Sequence, residues 1–277
     1  MVRAKRSLSQ NFLVDPNIRR KIVEELGAGP EDSVLEVGPG HGELSDLLAG
    51  RVGRLALVEK DDGLAAELAL RFGGRDDVRV VHGDALDVDL AGLLEDRSGL
   101  LVSNVPYGIT SPLVFRFLEM RPLPRRMVLL VQKEVAERIA APAGSKVYGA
   151  LTVGVQARAD VRIAFRVGRR AFRPVPAVDS AVLVIDPHGA ARGPDRFAGL
   201  RILTRVTFSR RRKQLGTILR GAPEYALSAS VVDDVLRALD ISPRARPETL
   251  SPGQFVELAQ RLEEVGGVGT PGSGEPS

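Results

Sequence analysis

Five short, largely apolar runs recur through the first half of the chain: Val34–Val37, Leu55–Val58, Val78–Val81, Leu100–Val102 and Met127–Val131. Near-continuous apolar runs of this length suit strands buried on both faces, which is the condition of a parallel sheet covered by helices. The intervening stretches carry helix signals. Asp15-Pro16 offers an N-cap and a proline at the first helical position, Ile18, Ile22, Val23 and Leu26 make an apolar stripe, and Gly27 ends it. Further helices are expected after the Gly38–Gly42 loop through about residue 48, over 61–72, and near 112–119. The alternation predicts an α/β fold with a mostly parallel, Rossmann-like sheet.

After Gly149 the rhythm changes. Leu151–Val155, Val161–Phe165 and Ala181–Ile185 read as strands without long helices between them, which predicts an antiparallel edge on the same sheet. These elements predict a first domain over 1–190 with a basic N-terminal arm. Helical patterns over about 197–208, 212–219, 231–239 and 253–264 predict a small all-α domain over 191–264. Residues 265–277, rich in Gly, Pro and Ser, are expected to be a disordered tail.

The 277 residues contain no cysteine, which excludes disulfides, thiolate metal sites and a cysteine nucleophile. His41, His82 and His188 stand in no metal-ligand spacing, so no metal is expected. No run of about 18 apolar residues exists to span a membrane. The basic start is not followed by a signal-peptide core, so a soluble, cytoplasmic, monomeric protein is the expectation. The net charge of +4 is modest, but the cations cluster: Arg3, Lys5 and Arg6; Arg166, Arg169, Arg170 and Arg173; Arg210, Arg211, Arg212 and Lys213. One such cluster reads as a solvated face; three together suggest a phosphate-contacting surface.

Chemistry collects at the strand ends, where open α/β sheets bind ligands. Gly38-Pro39-Gly40-His41-Gly42 lets backbone approach a ligand, but a dinucleotide fingerprint would need a third glycine where Glu43 stands. A glutamate is also a poor neighbour for a pyrophosphate. Glu59, ending the second strand, is placed to accept from ribose hydroxyls, and Asp84, ending the third, from an adenine amino group. Ser103-Asn104-Val105-Pro106-Tyr107-Gly108 ends the fourth, offering an amide acceptor, a stiff turn and an aromatic face. Each alone is also an ordinary cap or turn. In succession they indicate a nucleoside cofactor lacking a pyrophosphate, and S-adenosylmethionine, with its sulfonium cation, fits.

Glu36–Gly42 with Glu59, Asp84 and Asn104-Val105-Pro106-Tyr107 resembles the S-adenosylmethionine-dependent rRNA adenine N6-dimethyltransferases. Leu8–Asp15, Ala171–Ser180, Phe208–Lys213 and Arg246–Ser251 are similar to further motifs of that family, most of all to its KsgA-type small-subunit (16S) rRNA group. The resemblance implies a methyltransferase domain and a helical RNA-binding domain. It implies cofactor contacts from Asn11, Leu13, Gly38, Gly40, Glu59, Asp84 and Asn104, and a target-adenine pocket of Asn104, Tyr107 and Phe172. It also implies RNA contacts from Arg3, Lys5, Arg6, Arg169, Arg170 and Arg210–Lys213, with rRNA of the small subunit or its precursor as partner. The expected reaction dimethylates two adjacent adenosines near the 3′ end of that rRNA. Gly108, Val105, Ser9 and Ala177 stand where the family commonly has Asn, Leu, Gly and Lys. Alternatives are a large-subunit (23S) rRNA dimethyltransferase of the macrolide-resistance type, or a non-catalytic RNA-binding factor on the same fold.

Overall fold

A computed structural model describes residues 11–94, 99–188 and 198–266. The chain divides into two compact units, Met1–Ala140 with Arg158–Ala190, and Ala141–Ala157 with Ala191–Ser277.

The first unit is built in the order β1 (Phe12–Leu13), α1 (Pro16–Leu26), β2 (Ser33–Val37), α2 (Ser45–Leu48), β3 (Arg54–Glu59), α3 (Asp62–Phe72), β4 (Val78–His82), β5 (Leu100–Asn104), α4 (Thr110–Leu118), β6 (Arg126–Gln132) and α5 (Lys133–Ile139). It continues with β7 (Ala159–Val167), β8 (Phe172–Arg173) and β9 (Ser180–Pro187). Seven strands form one sheet in the order β4-β3-β2-β5-β6-β9-β7. The pairs from β4 to β6 are parallel; β9 runs antiparallel to both β6 and β7. The antiparallel edge expected from the sequence is therefore present. The central strands owe their near-continuous apolar runs to burial on both faces: every residue of β2 is buried, as is β6 apart from its ends. From β2 the chain moves outward one way through β3 and β4, then the other way through β5 and β6. The gap between the ends of β2 and β5 is thus the topological switch point, the crevice where such sheets bind ligands.

Local signals behave as their chemistry dictates. The Asp15 side chain accepts from the amides of Asn17 and Ile18 at the start of α1, and Gly27 closes it with a left-handed φ of 64°. A separate two-stranded ribbon pairs β1 with β8, placing Leu13 opposite Phe172.

The second unit consists of α6 (Ala150–Gln156), α7 (Ala198–Ser209), α8 (Leu215–Arg220), α9 (Ala229–Ala238) and α10 (Pro252–Gly266). Its core gathers Tyr148, Val153, Leu203, Leu236, Phe255 and Leu262, all fully buried. Here the structure corrects the sequence reading. Residues 151–155 form a helix, not a strand. A buried run with no polar face carries neither period, and length alone did not separate the two states. The Gly149 amide donates to the Thr152 hydroxyl at the start of this helix (3.1 Å). Residues 141–157 consequently belong with the helical unit, so the division is not a single cut near 190. α8 starts at Leu215 rather than 212, with 210–213 forming a turn closed by the Lys213 amide on the Arg210 carbonyl (2.8 Å). Val265 and Gly266, assigned to the tail, complete α10; the rest of that tail lies outside the described residues.

Tyr148 shows how the inserted segment is locked in. Its hydroxyl donates to the Leu250 carbonyl (2.8 Å), and its ring meets Phe208 edge-on at 6.0 Å. Tyr148→Phe is expected to cost about 1 kcal/mol. Tyr148→Ala should cost ~3–5 kcal/mol, read as a shift of the urea unfolding midpoint.

Candidate active site

The switch-point crevice is a cleft lined from the ends of four of the five parallel strands, β2, β3, β4 and β5, and from the segment at β1. After β2 the chain turns through Gly38 and Gly40 with φ of 71° and 62°. Glycine is required at Gly40 for space as well, since a Cβ there would sit 3.0 Å from the Phe12 ring. After β3, Glu59 holds this loop in place: its carboxylate accepts from the Gly40 amide (3.1 Å) and the Asp61 amide (2.8 Å). After β4, Asp84 accepts from the Leu86 amide (2.9 Å) and the Lys60 ammonium (2.5 Å). At β5, the buried Ser103 hydroxyl donates to the Val37 carbonyl (2.7 Å), fastening the two strands that flank the crevice.

Asn104 ends β5. Its side-chain nitrogen donates to the Asn11 carbonyl (3.0 Å), which commits the donor end of the amide and leaves Oδ1 as its acceptor. That bond also ties residues 11–14 across the cleft. The same strap is held by β8 and by the Val14 amide on the Ala171 carbonyl (2.8 Å), and the Phe12 ring packs on His41 at 4.5 Å. The Tyr107 hydroxyl bonds Ser180 (2.7 Å), fixing the ring in the wall. Gly108, also in the wall, has nothing within 4 Å of where a Cβ would lie, so its departure from the family pattern leaves open space.

Electrostatically the cleft is acidic. Glu36, Glu43, Glu59 and Asp84 line it, against Lys60 as the one basic lining residue among those described. Burial pushes Glu36 up to about 8, although the Ser45 hydroxyl donates to it (2.6 Å). Burial also raises Glu43 and Glu59, while the Lys60 ammonium and the Leu86 amide hold Asp84 below the usual carboxylate range. Such a site repels a pyrophosphate and favours a ligand carrying positive charge.

Asn11, Leu13, Gly38, Gly40, Glu59, Asp84, Asn104 and Tyr107 are brought together in this one cleft. Phe172 is not among its lining residues. It is fully buried in a core cluster that also contains Leu13, with which its strand pairs. Arg169 and Arg170 are exposed in the turn after β7. In the helical unit, Arg212 and Lys213 are exposed, but Arg211 is a clasp: it donates to the carbonyls of Lys146 (2.7 Å) and Ser145 (3.0 Å). Arg210 donates to the Gly221 carbonyl (3.2 Å). Arg3, Lys5 and Arg6 lie outside the described residues. Sequence reasoning missed Phe12, Glu36 and Lys60 as lining residues. Glu36 sits inside a strand run, and the Lys60–Asp84 pair joins positions with no shared pattern.

The signature of the ribosomal RNA adenine dimethylase family matches residues 1–263. The chain belongs to this family. It is 40% identical over 272 residues to the ribosomal RNA small subunit methyltransferase A of Geobacter metallireducens, covering 96% of this chain and 98% of that protein. It is 36% identical to the protein of the same name from Geobacillus thermodenitrificans, over 93% of this chain and 90% of the relative. Among solved structures it is similar to a dimethyladenosine transferase from Plasmodium falciparum, with a TM-score of 0.82 and 28% identity over 93% and 98% of the two chains. It is also similar to the 23S rRNA methyltransferase ErmE, with a TM-score of 0.70 and 27% identity over 91% and 100%. As in those family members, the chain is an enzyme of the methyltransferase type, on a Rossmann-like sheet with a helical C-terminal region.

The buried carboxyl of Glu36 makes a pH prediction. The folded protein keeps a proton on Glu36 up to about pH 8, whereas the unfolded chain releases it near 4.5. Its contribution to stability is therefore present below the lower value and declines as pH rises through that window, by roughly 1.4 kcal/mol per pH unit. Glu36→Gln keeps a partner for Ser45 and removes the titration. Its urea midpoint should fall less steeply than that of the unmodified protein between about pH 5 and pH 8; parallel slopes would place the proton elsewhere.

Proposed function

We propose that the protein transfers methyl groups from S-adenosylmethionine to N6 of adenosines in small-subunit (16S) rRNA, dimethylating two adjacent adenosines near the 3′ end. The observation that carries this reading is the meeting of the Asn104–Tyr107 turn with Glu59 and Asp84 in one acid-lined cleft. The similarity to small subunit methyltransferases A of other bacteria supports the small-subunit target. The 23S alternative keeps a structural likeness of its own, but at a lower TM-score than the dimethyladenosine transferase and at lower identity than the small-subunit relatives.

The residues present fit the cofactor. The carboxylate of Glu59 suits ribose hydroxyls, Asp84 suits an adenine amino group, and the surplus of acids over bases suits a net cation. When bound, this cofactor supplies an electrophilic methyl group on a sulfonium. The chain's own task is then to make a poor nucleophile reactive and to aim it. The lone pair of an adenine amino group is delocalised into the ring. Accepting its N–H bonds at Asn104 Oδ1 and the Val105 carbonyl pulls the nitrogen toward a geometry in which that pair is localised. The Pro106 carbonyl is less suited, because it already accepts from the Ile109 amide (3.1 Å) and the Thr110 hydroxyl (3.3 Å). The Tyr107 ring offers a face for the base and favours the positive charge that develops at nitrogen. No general base is needed, since the product ammonium is acidic enough to lose its proton to water. Catalysis is mostly positioning and electrostatics. Exposed Arg169, Arg170, Arg212 and Lys213 are the described members of the RNA-contacting set.

Asn104→Ala removes the acceptor and one tie on the strap. Methyl transfer to unmethylated small subunits, followed with labelled cofactor, should drop at least ~100-fold, while circular dichroism and the urea midpoint stay close to those of the parent. Near-parental turnover would remove Asn104 from the mechanism.

A further inference from the structure

Arg19, at the start of α1, has a position that the methyl-transfer chemistry does not by itself explain. Its Nε and Nη2 donate to the Leu13 carbonyl at 2.8 and 2.5 Å, and the same Nη2 lies 3.9 Å from Glu43 Oε1. One guanidinium thus joins the strap across the cleft to the acid that follows the glycine loop. Glu43 is mostly buried, and its Oε2 lies 3.5 Å from where a Cβ on Gly40 would be. The four lining acids are not equivalent. Glu36 carries a proton to about pH 8, Glu59 is engaged by two backbone amides, and Asp84 is paired with Lys60. Glu43 also has backbone amides beside it, those of Glu43 and His41, but it is the lining acid whose counter-charge stands beyond hydrogen-bond reach.

We propose that Glu43 recognises the positive charge of the bound cofactor and that Arg19 is its positioning residue, holding Glu43 and the strap in register. The cleft then distinguishes the cationic methyl donor from the product S-adenosylhomocysteine, which has lost the sulfonium charge, and so favours release after each transfer. This rests on the reading of the protein as an S-adenosylmethionine-dependent enzyme. The charged and titratable groups that act on Glu43 are Arg19 of α1, His41 of its own loop and Glu36 of β2, and Glu59 and Asp46 act in turn on Glu36. Burial raises Glu43, while the nearby amides of Glu43 and His41 and the Arg19 charge oppose that rise. Without Arg19, Glu43 takes up a proton at higher pH and the discrimination becomes pH-dependent.

The test is calorimetric binding of S-adenosylmethionine and of S-adenosylhomocysteine to the full chain between about pH 6 and pH 8. Glu43→Gln is expected to weaken the donor about tenfold and the product less than about twofold. Arg19→Met should lose its donor-to-product preference progressively as pH falls, while the parent keeps a constant ratio. Arg19→Lys, which restores charge but not the forked contact, should weaken both ligands yet keep the ratio flat. His41→Gln, which removes the ring beside Glu43, should leave the ratio flat. Equal weakening of both ligands by Glu43→Gln, or a parental ratio in Arg19→Met at every pH, would overturn the proposal. A parent chain that binds neither compound would overturn the cofactor reading, and this inference with it.

Discussion

Everything at the site depends on four parallel strands delivering their carboxyl ends to one edge of the sheet. Parallel pairing of β3, β2, β5 and β4 puts Glu59, the Gly38–Gly42 loop, Asn104 and Asp84 on the same side although they are far apart in sequence. The reversal of direction at β2 opens the crevice, and the Ser103 bond to the Val37 carbonyl fixes its width. A change that disturbed β2 or β5 would scatter the functional groups without touching any of them.

The second constraint is charge. Burying several carboxylates beside one another is costly, and the structure relieves each in a different way. Glu36 keeps a proton, Glu59 takes two backbone amides, Asp84 takes Lys60, and Glu43 looks to Arg19. These partners do more than neutralise. The Glu59 amide bonds shape the glycine loop, and the Arg19 bonds to Leu13 help hold the strap. Electrostatic relief and site geometry are therefore achieved by the same contacts.

The parallel sheet was legible because its strands are buried on both faces and announce themselves as apolar runs. The strand-end residues were legible because each follows such a run directly. Where an apolar run lacked that context, as at Leu151–Val155, burial erased the period and a helix was read as a strand. Phe172 was assigned to the adenine pocket through the resemblance, yet an aromatic ring serves a core equally well, and in this structure its side chain is buried in the core cluster with Leu13. Arg211 shows the same ambiguity in a charged residue: within a basic cluster it looks solvated, whereas its guanidinium closes two backbone carbonyls. The Arg19–Glu43 and Lys60–Asp84 pairs leave no trace in any local pattern, because only the tertiary fold makes them neighbours.

The central claim is that this cleft dimethylates adenine in the small subunit. Purified chain should be incubated with labelled S-adenosylmethionine and, in parallel, with small and large subunits from cells lacking the modification, and the rRNA then digested to nucleosides. The account predicts N6,N6-dimethyladenosine from the small subunit alone, in two adjacent positions. Label confined to the large subunit, or methylation at any atom other than adenine N6, would contradict it.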